Sequence, residues 1–363
     1  MSELRRESCE WTLGPYRPGD EREILELFNA GFGTNRSLAT WNWRFQCNPY
    51  GGPFASLARR NTDGTLIGTY MCLPFKLAAD GRPVLAFQVV DLVVHPEHRK
   101  QGMFEQMARH SYEMLAGAGG RAIVAFPNPT AMSYPGFTRT LGWKPFCRPR
   151  RFTVPLDLER PLRALLPLPS LARGLNSGFR AVTNWRLKRS LRRVVRSSSA
   201  KLEFFISNEA PPGCDFLWDA CRTQQRLSFW KDAEYFRWRY DRNPDHEFAY
   251  ASLVRDGEMI ALSVVLEHDG AITLCELLVK EQDVVVGRRL IGEIRKMYFE
   301  AHVRSVSFLG HDAGFYASVL EGFSIGSVTE NVLVGRALDD HALEAVMRRP
   351  EHWSVTYGDA DFV

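Results

Sequence analysis

Residues 89 to 104 read Val-Val-Asp-Leu-Val-Val-His-Pro-Glu-His-Arg-Lys-Gln-Gly-Met-Phe. Apolar β-formers run to a proline, a basic patch follows, and a glycine opens an amphipathic stretch. A strand, a basic loop and a helix start in that order make an anion site. The first-turn N–H groups have no intrahelical partner, and the helix dipole favours negative charge. Arg99, Lys100, Gln101, Gly102, Met103 and Phe104 would form that cradle. Asp91 and His95 flank the strand end and are the nearest groups able to accept a proton, directly or through water. Each also has a plain structural reading, Asp91 as a turn anchor and His95 as a loop residue. Seven cysteines (Cys9, Cys47, Cys72, Cys147, Cys214, Cys221 and Cys275) are scattered without a Cys-x-x-Cys pair. That argues against a zinc site or a disulfide framework and for a reducing cytoplasm.

Such a loop needs a scaffold on both sides. Trp11 to Tyr16 reads as a strand, and Asp20 suits the N-cap of a helix carrying Ile24, Leu25, Leu27 and Phe28, which ends near Gly31 or Gly33. An aromatic run, Thr40 to Phe45, leads into the turn Asn48-Pro49-Tyr50-Gly51-Gly52. Strands at 54–58 and 66–73 flank the turn at Asn61 to Gly64, and Asp80-Gly81 marks another turn before the strand at 84–94. The helix from Gly102 carries Met103, Met107, Tyr112, Met114 and Leu115 and stops in Gly117 to Gly120. A short apolar strand (121–126), a turn at Asn128 to Ala131, and Leu141-Gly142-Trp143 follow.

This order resembles motif A of the GNAT acyltransferases, which hold the pyrophosphate of acetyl-CoA in the loop. Leu92, Val94 and Pro96 match its first part; Arg99 and Gly102 match its second; Phe104 stands where the family more often has Gly or Ala. The resemblance implies an α/β fold with a mixed sheet, and acetyl-CoA or another acyl-CoA as co-substrate without a metal. It also implies contacts from Leu92, Val93, Val94 and Asn128, the backbone of the strand end polarising the thioester carbonyl and Asn128 meeting the pantetheine arm. The amine would attack directly, since Cys72 and Cys147 have no neighbouring His to announce a nucleophile. The family's usual general acid, a Tyr, is Thr138 here. Tyr134 is the nearest substitute, or else a packed aromatic. Trp41, Trp43 and Tyr50 fall where the family builds the acceptor wall, or else they are core.

The second half repeats the first. Trp43-Arg44-Phe45-x-x-Asn48-Pro49 recurs as Trp238-Arg239-Tyr240-x-x-Asn243-Pro244, Phe54 to Leu57 as Tyr250 to Leu253, and Asp63-Gly64 as Asp256-Gly257. Leu92 and Val94 align with Leu277 and Val279, and Leu141-Gly142-Trp143 with Glu321-Gly322-Phe323. In that register Gly287 keeps the glycine of Gly102, while Glu281 and Val284 replace Pro96 and Arg99. Two GNAT-like domains are expected, 1–155 with the working loop and 201–363 degenerate, the latter shaping the acceptor pocket or a homodimer contact. Between them 156–200 reads as a linker and a basic amphipathic helix, Trp185 to Val195.

Net charge is +4 over 363 residues, yet 148–201 holds fourteen Lys or Arg against Asp157 and Glu159. This segment fits a solvated interdomain helix or an anionic membrane surface. It lacks a stacking platform, which argues against nucleic acid. No signal-peptide core opens the chain, and no stretch is apolar enough to span a bilayer. A cytoplasmic protein, peripheral to the membrane if the basic helix binds it, is expected. The function expected is N-acyl transfer to a small-molecule or peptide amine. The rival readings are a tRNA-dependent aminoacyltransferase of the peptidoglycan-bridge type and a non-catalytic acyl-CoA-binding scaffold.

Overall fold

The computed structural model describes residues 10–166, 168–197, 202–301, 303–311, 314–328 and 331–360. Expectations on Cys9, Pro167, the end of the basic segment (198–201) and the last three residues lie outside these.

The chain begins β1 (Trp11–Pro15), α1 (Glu21–Phe32), α2 (Leu38–Trp41), β2 (Phe54–Arg60), β3 (Leu66–Ala79), β4 (Arg82–Val94), α3 (Met103–Gly117), β5 (Ala122–Ala125), α4 (Ser133–Pro135) and β6 (Lys144–Cys147). It continues β7 (Arg150–Pro155), α5 (Glu159–Leu165), α6 (Pro169–Ser197), β8 (Leu202–Ser207), α7 (Cys214–Cys221), β9 (Leu227–Phe229), α8 (Ala233–Phe236), β10 (Phe248–Arg255), β11 (Glu258–His268), β12 (Ala271–Val279), α9 (Val284–Glu300), β13 (Ser305–Gly310), α10 (Gly314–Val319), β14 (Ser324–Val328), β15 (Leu333–Ala337) and α11 (His341–Met347).

Asp-Gly pairs set the hairpins. Asp80-Gly81, Asp256-Gly257 and Asp269-Gly270 all sit at positive φ, the conformation of a two-residue turn whose twist matches the flanking strands. Asp20 stands at the head of α1 as expected, but its carboxylate accepts from the Arg17 N–H and from Arg59, each at 2.7 Å, instead of capping the helix.

The chain forms two compact units, each an α/β unit with one mixed sheet flanked by helices. The first sheet runs β1-β2-β3-β4-β5-β15-β6, and the second β8-β10-β11-β12-β13-β7-β14. The orders match position for position, and in both the sixth place is filled by a strand from far away in sequence. β7, which directly follows β6, is antiparallel to β13 and β14; β15, which follows β14, is antiparallel to β5 and β6. The first unit therefore ends at Cys147 and regains 331–350, and the expected boundary at residue 155 gives way to this exchange.

The stretch expected as a linker is structured too. α6 is far longer than Trp185 to Val195 and groups with the second unit. No described helix is long and apolar enough to cross a membrane.

The first core gathers Trp11, Tyr70, Phe87, Met103, Met107, Phe137 and Trp143 between the sheet and α3. The second gathers Phe152, Leu253, Leu290, Ile294 and Phe308 between its sheet and α9. β15 fits tightly: a Cβ on Gly335 would lie 2.4 Å from the Ile123 carbonyl oxygen and 2.9 Å from the Phe146 ring. Gly335→Ala is therefore expected to destabilise the first unit by about 1–3 kcal/mol in denaturant unfolding. An unchanged midpoint would contradict the placement of β15 between β5 and β6.

Candidate functional site

β4 and β5 run parallel for three residue pairs, Ala86 with Ala122, Phe87 with Ile123 and Gln88 with Val124, and the ladder ends there. Past Gln88 the β5-facing edge of β4 has no strand partner from β5. Asp91 adopts φ 46° inside the strand. A left-handed residue in a strand bends it, and Asp tolerates that region because its short side chain can bond locally. The bend is fastened from two sides. The Arg36 guanidinium ion-pairs with the Asp91 carboxylate and lies over the Phe28 ring, 4.0 Å from its centroid. Thr69 Oγ1 donates to the Asp91 carbonyl at 3.0 Å. Asp91 is buried, with 8% of its surface exposed. The sequence offered it as a proton acceptor or a turn anchor; its carboxylate ion-pairs with Arg36, which braces the bend. Arg36, 55 residues upstream, carried no spacing signal that would have found it.

The loop after β4 makes a short 3-10 turn, Pro96–His98, then reaches Gly102 at φ 83°, the N-cap of α3. No side chain caps this helix, and its first-turn N–H groups point back toward the loop without an intrahelical partner. Arg99 and Lys100 are exposed beside them, and Arg99 Nε is steadied by a 3.1 Å bond to the Val94 carbonyl. Gln101 folds back onto the Glu97 carbonyl at 3.3 Å. The Met103 side chain is buried in the core and comes close to Gly68. Phe104 leaves the loop: its ring packs edge-on to Phe137, beside Tyr70, and a Cβ on Gly136 would touch it at 3.0 Å. Phe104 thus contributes only backbone to the cradle, which accounts for a bulky residue at this position.

His95 lies at the open end of β4, its N–H bonded to the Ile67 carbonyl at 2.8 Å. The Nδ1 atoms of His95 and of the neighbouring His98, whose rings are 6.0 Å apart, are buried without a protein partner. His98 was missed in sequence; its spacing from His95 was the one available cue.

The remaining expected residues divide. Asn128 Oδ1 accepts from the Thr130 N–H and hydroxyl at 2.9 and 2.7 Å, a local turn at the end of β5 beside the opening. Tyr134 is half-buried against the first core, and its carbonyl accepts from Thr138. Leu92 and Val94 are partly buried against the same core, while Val93 is buried. Trp41 is fully buried against Tyr16 and Phe45, and Trp43 is buried as well. Both are core residues, not an open wall. Tyr50 is half-buried, with the Lys76 ammonium 4.9 Å from its ring centroid.

The second unit repeats this frame. Ser37 caps α2 and Asp232 caps α8, and each helix passes into a single π turn, Asn42–Gln46 and Arg237–Asp241. Lys231 pairs with Glu276 where Arg36 pairs with Asp91, and Ser263 donates to the Glu276 carbonyl as Thr69 does to Asp91. β12 and β13 likewise share three parallel pairs and then stop.

Here the likeness ends. The eight-residue connection 95–102 is cut to four, 280–283. Asp283 caps α9, accepting from the Val285 and Val286 N–H groups at 2.8 and 3.1 Å. The chain supplies its own anion where the first unit leaves donors open. Gly287, aligned in sequence with Gly102, is instead inside α9, where a Cβ would meet Val319 at 2.9 Å. Lys231 also meets Asp359 and Thr356, each at 2.7 Å, while Tyr235 and Tyr240 donate to Glu276 at 3.0 and 2.7 Å. A cavity of about 40 Å³ lies beside this network, lined by Leu277, Leu278, Phe315 and Tyr316. Among the described residues no cluster of metal-ligating side chains occurs.

A family model described as acetyltransferase (GNAT) domain matches residues 13–146. No curated protein matches the chain in sequence. Among solved structures, an Enterococcus faecalis protein described as a probable N-acyltransferase aligns with TM-score 0.62 and 10% identity over 91% of this chain and 73% of its own. A tandem GNAT protein from the clavulanic acid biosynthesis pathway aligns with TM-score 0.51 and 14% identity over 91% of this chain and 99% of its own. Saccharomyces cerevisiae N-myristoyltransferase with bound myristoyl-CoA aligns with TM-score 0.53 and 11% identity, covering 90% and 82%. At these identities the likeness is one of fold.

The buried network makes two predictions. Lys231→Met strands Glu276 and Asp359 without a counter-charge and is expected to cost about 3–5 kcal/mol in denaturant unfolding. Burial pushes the Asp359 carboxyl up to about 6, with Lys231 opposing the shift. The native state therefore holds an extra proton between the unfolded value of 3.8 and about 6, so stability falls as pH rises through that window and levels off above it. Asp359→Asn should remove this part of the slope in unfolding curves taken across the window.

Proposed function

We propose, from the match of residues 13–146 to an acetyltransferase (GNAT) domain, that the chain transfers an acyl group from acyl-CoA, acetyl-CoA in the first instance, to an amine. The observation that carries the reading is the uncapped start of α3, with Gly102 at φ 83° and Arg99 exposed beside it, at the mouth of the gap between β4 and β5. First-turn N–H groups and a guanidinium suit a pyrophosphate. The gap suits an extended arm that bonds to a free strand edge.

The reaction asks little of the protein. A neutral amine attacks the thioester carbonyl, the C–N bond forms, the C–S bond breaks and the thiolate departs with the electron pair. Main-chain N–H groups of Leu92 to Val94 are the donors available to the carbonyl oxygen as it gains charge. With Asp91 held by Arg36, His95 is the nearest group to take the amine's proton, directly or through water. Tyr134 is the candidate to protonate the thiolate, although a thiolate is a good leaving group without help. The Asp283 cap and the shortened loop favour one working donor site per chain, with the second unit degenerate.

Calorimetry with acetyl-CoA tests this. One site per chain is expected, and Arg99→Ala should weaken it about 10- to 100-fold, the worth of a charge-assisted phosphate contact. Two equivalent sites, or an unaffected variant, would overturn the assignment. Thiol release with a panel of amines then separates the rivals: binding without turnover favours the scaffold, and no binding favours the tRNA-dependent reading.

A further inference from the structure

α6 has two apolar faces, and only one is used. Its inner face packs on α9, with Leu187 and Leu191 buried and the latter so close to Gly292 that a Cβ there would lie 2.6 Å away. Asn176 and Arg180 fix its depth: Asn176 Nδ2 donates to Asp157 at 2.9 Å, and Arg180 lies over the Phe299 ring at 4.3 Å while donating to the Phe299 carbonyl. The helix is therefore anchored along its length, not hung on a linker.

The outer face carries Leu171, Leu175, Val182 and Trp185, with Leu168 just before the first turn, each more than half exposed. Their spacing of three, four, seven and three keeps them on one side of the helix. Arg186, Lys188 and Arg189 are exposed along the same stretch of helix, and the Arg189 guanidinium lies 5.2 Å from the Trp185 ring centroid. From Arg160 to Lys201 the sequence has no Asp or Glu.

A contiguous apolar stripe of this kind marks a surface that something covers. Charge selects the occupant. A second copy would bring an equally basic stripe with no acid to meet it, so pairing would set like charges together. Nucleic acid would satisfy the cations but leave the leucines without an apolar partner. An anionic bilayer answers both: phosphates for Arg and Lys, acyl chains for the Leu and Val stripe, and the headgroup boundary that Trp prefers. We infer that α6 is a membrane-surface helix, its outer face seated in the headgroup region of an anionic phospholipid bilayer while its inner face stays docked on α9. This rests on α6 alone and stands whether or not the chain transfers acyl groups.

The test is flotation of the full chain with phosphatidylcholine vesicles and with vesicles containing phosphatidylglycerol. Binding at least about ten-fold stronger to the anionic vesicles is expected. The double substitution Leu171→Glu/Val182→Glu lies on the exposed stripe and should leave circular dichroism and thermal unfolding unchanged while lowering vesicle binding at least about ten-fold. No binding to anionic vesicles, or equal binding by the double variant, would overturn the inference. So would a dimer in light scattering that the substitutions split, which would assign the stripe to a second copy, or nucleic-acid binding that the substitutions leave intact.

Discussion

Backbone N–H and C=O groups taken out of water must be paired, and β4 stops pairing with β5 after Gln88. The opening between these strands is the feature on which the rest of the first unit turns. A sheet left to itself would close such a gap, because each recovered bond is favourable and strand pairing is cooperative. The bend at Asp91 prevents closure. Arg36 holds its carboxylate, Thr69 holds its carbonyl, and α1 comes near enough for a Cβ on Gly31 to strike Val93 at 2.9 Å. These contacts explain why α2 is capped so firmly at Ser37, the residue after Arg36. They also explain why the anion-ready start of α3 stands at the mouth of the gap.

The second unit is a natural control for this reading. It keeps the strand order, the capped helix with its π turn, the cation–carboxylate strut and the diverging strands. Its strut is driven fully inside, with Lys231 serving two carboxylates and two tyrosines donating to Glu276. Burial lowers the Lys231 pKa, but Asp359 and Glu276 outweigh it and hold the ammonium charged. The donor groups at the start of α9 are answered by Asp283. The start of α9 carries its own carboxylate where the start of α3 has no side-chain cap.

Much of this was legible in the sequence. The strand, basic loop and glycine at 89–104 are local, and local spacing is what a sequence shows directly. The Asp-Gly turns and the Trp-Arg-aromatic-x-x-Asn-Pro repeat announced the hairpins and the duplication for the same reason. What stayed hidden depends on distance or on alternatives that spacing cannot separate. Arg36 and Asp91 meet across 55 residues, and the exchange of β7 and β15 pairs residues from 150 (Ser305 with Pro155) to 215 (Ala337 with Ala122) positions apart. Aligning Gly287 with Gly102 assumed loops of equal length, whereas α9 starts four residues sooner after its strand. Trp41 and Trp43 offered core or pocket wall, and burial decided for the core. The length of α6 was masked because its two apolar faces blur a single helical period.

The most direct measurement is a crystal structure of the full chain with a non-hydrolysable acetyl-CoA analogue. The account predicts the pyrophosphate on the N–H groups that follow Gly102, with Arg99 against it, the arm lying along Val89 to Val94, and the second unit unoccupied. An analogue seated at the start of α9 beside Asp283, or bound away from the β4–β5 opening, would contradict it.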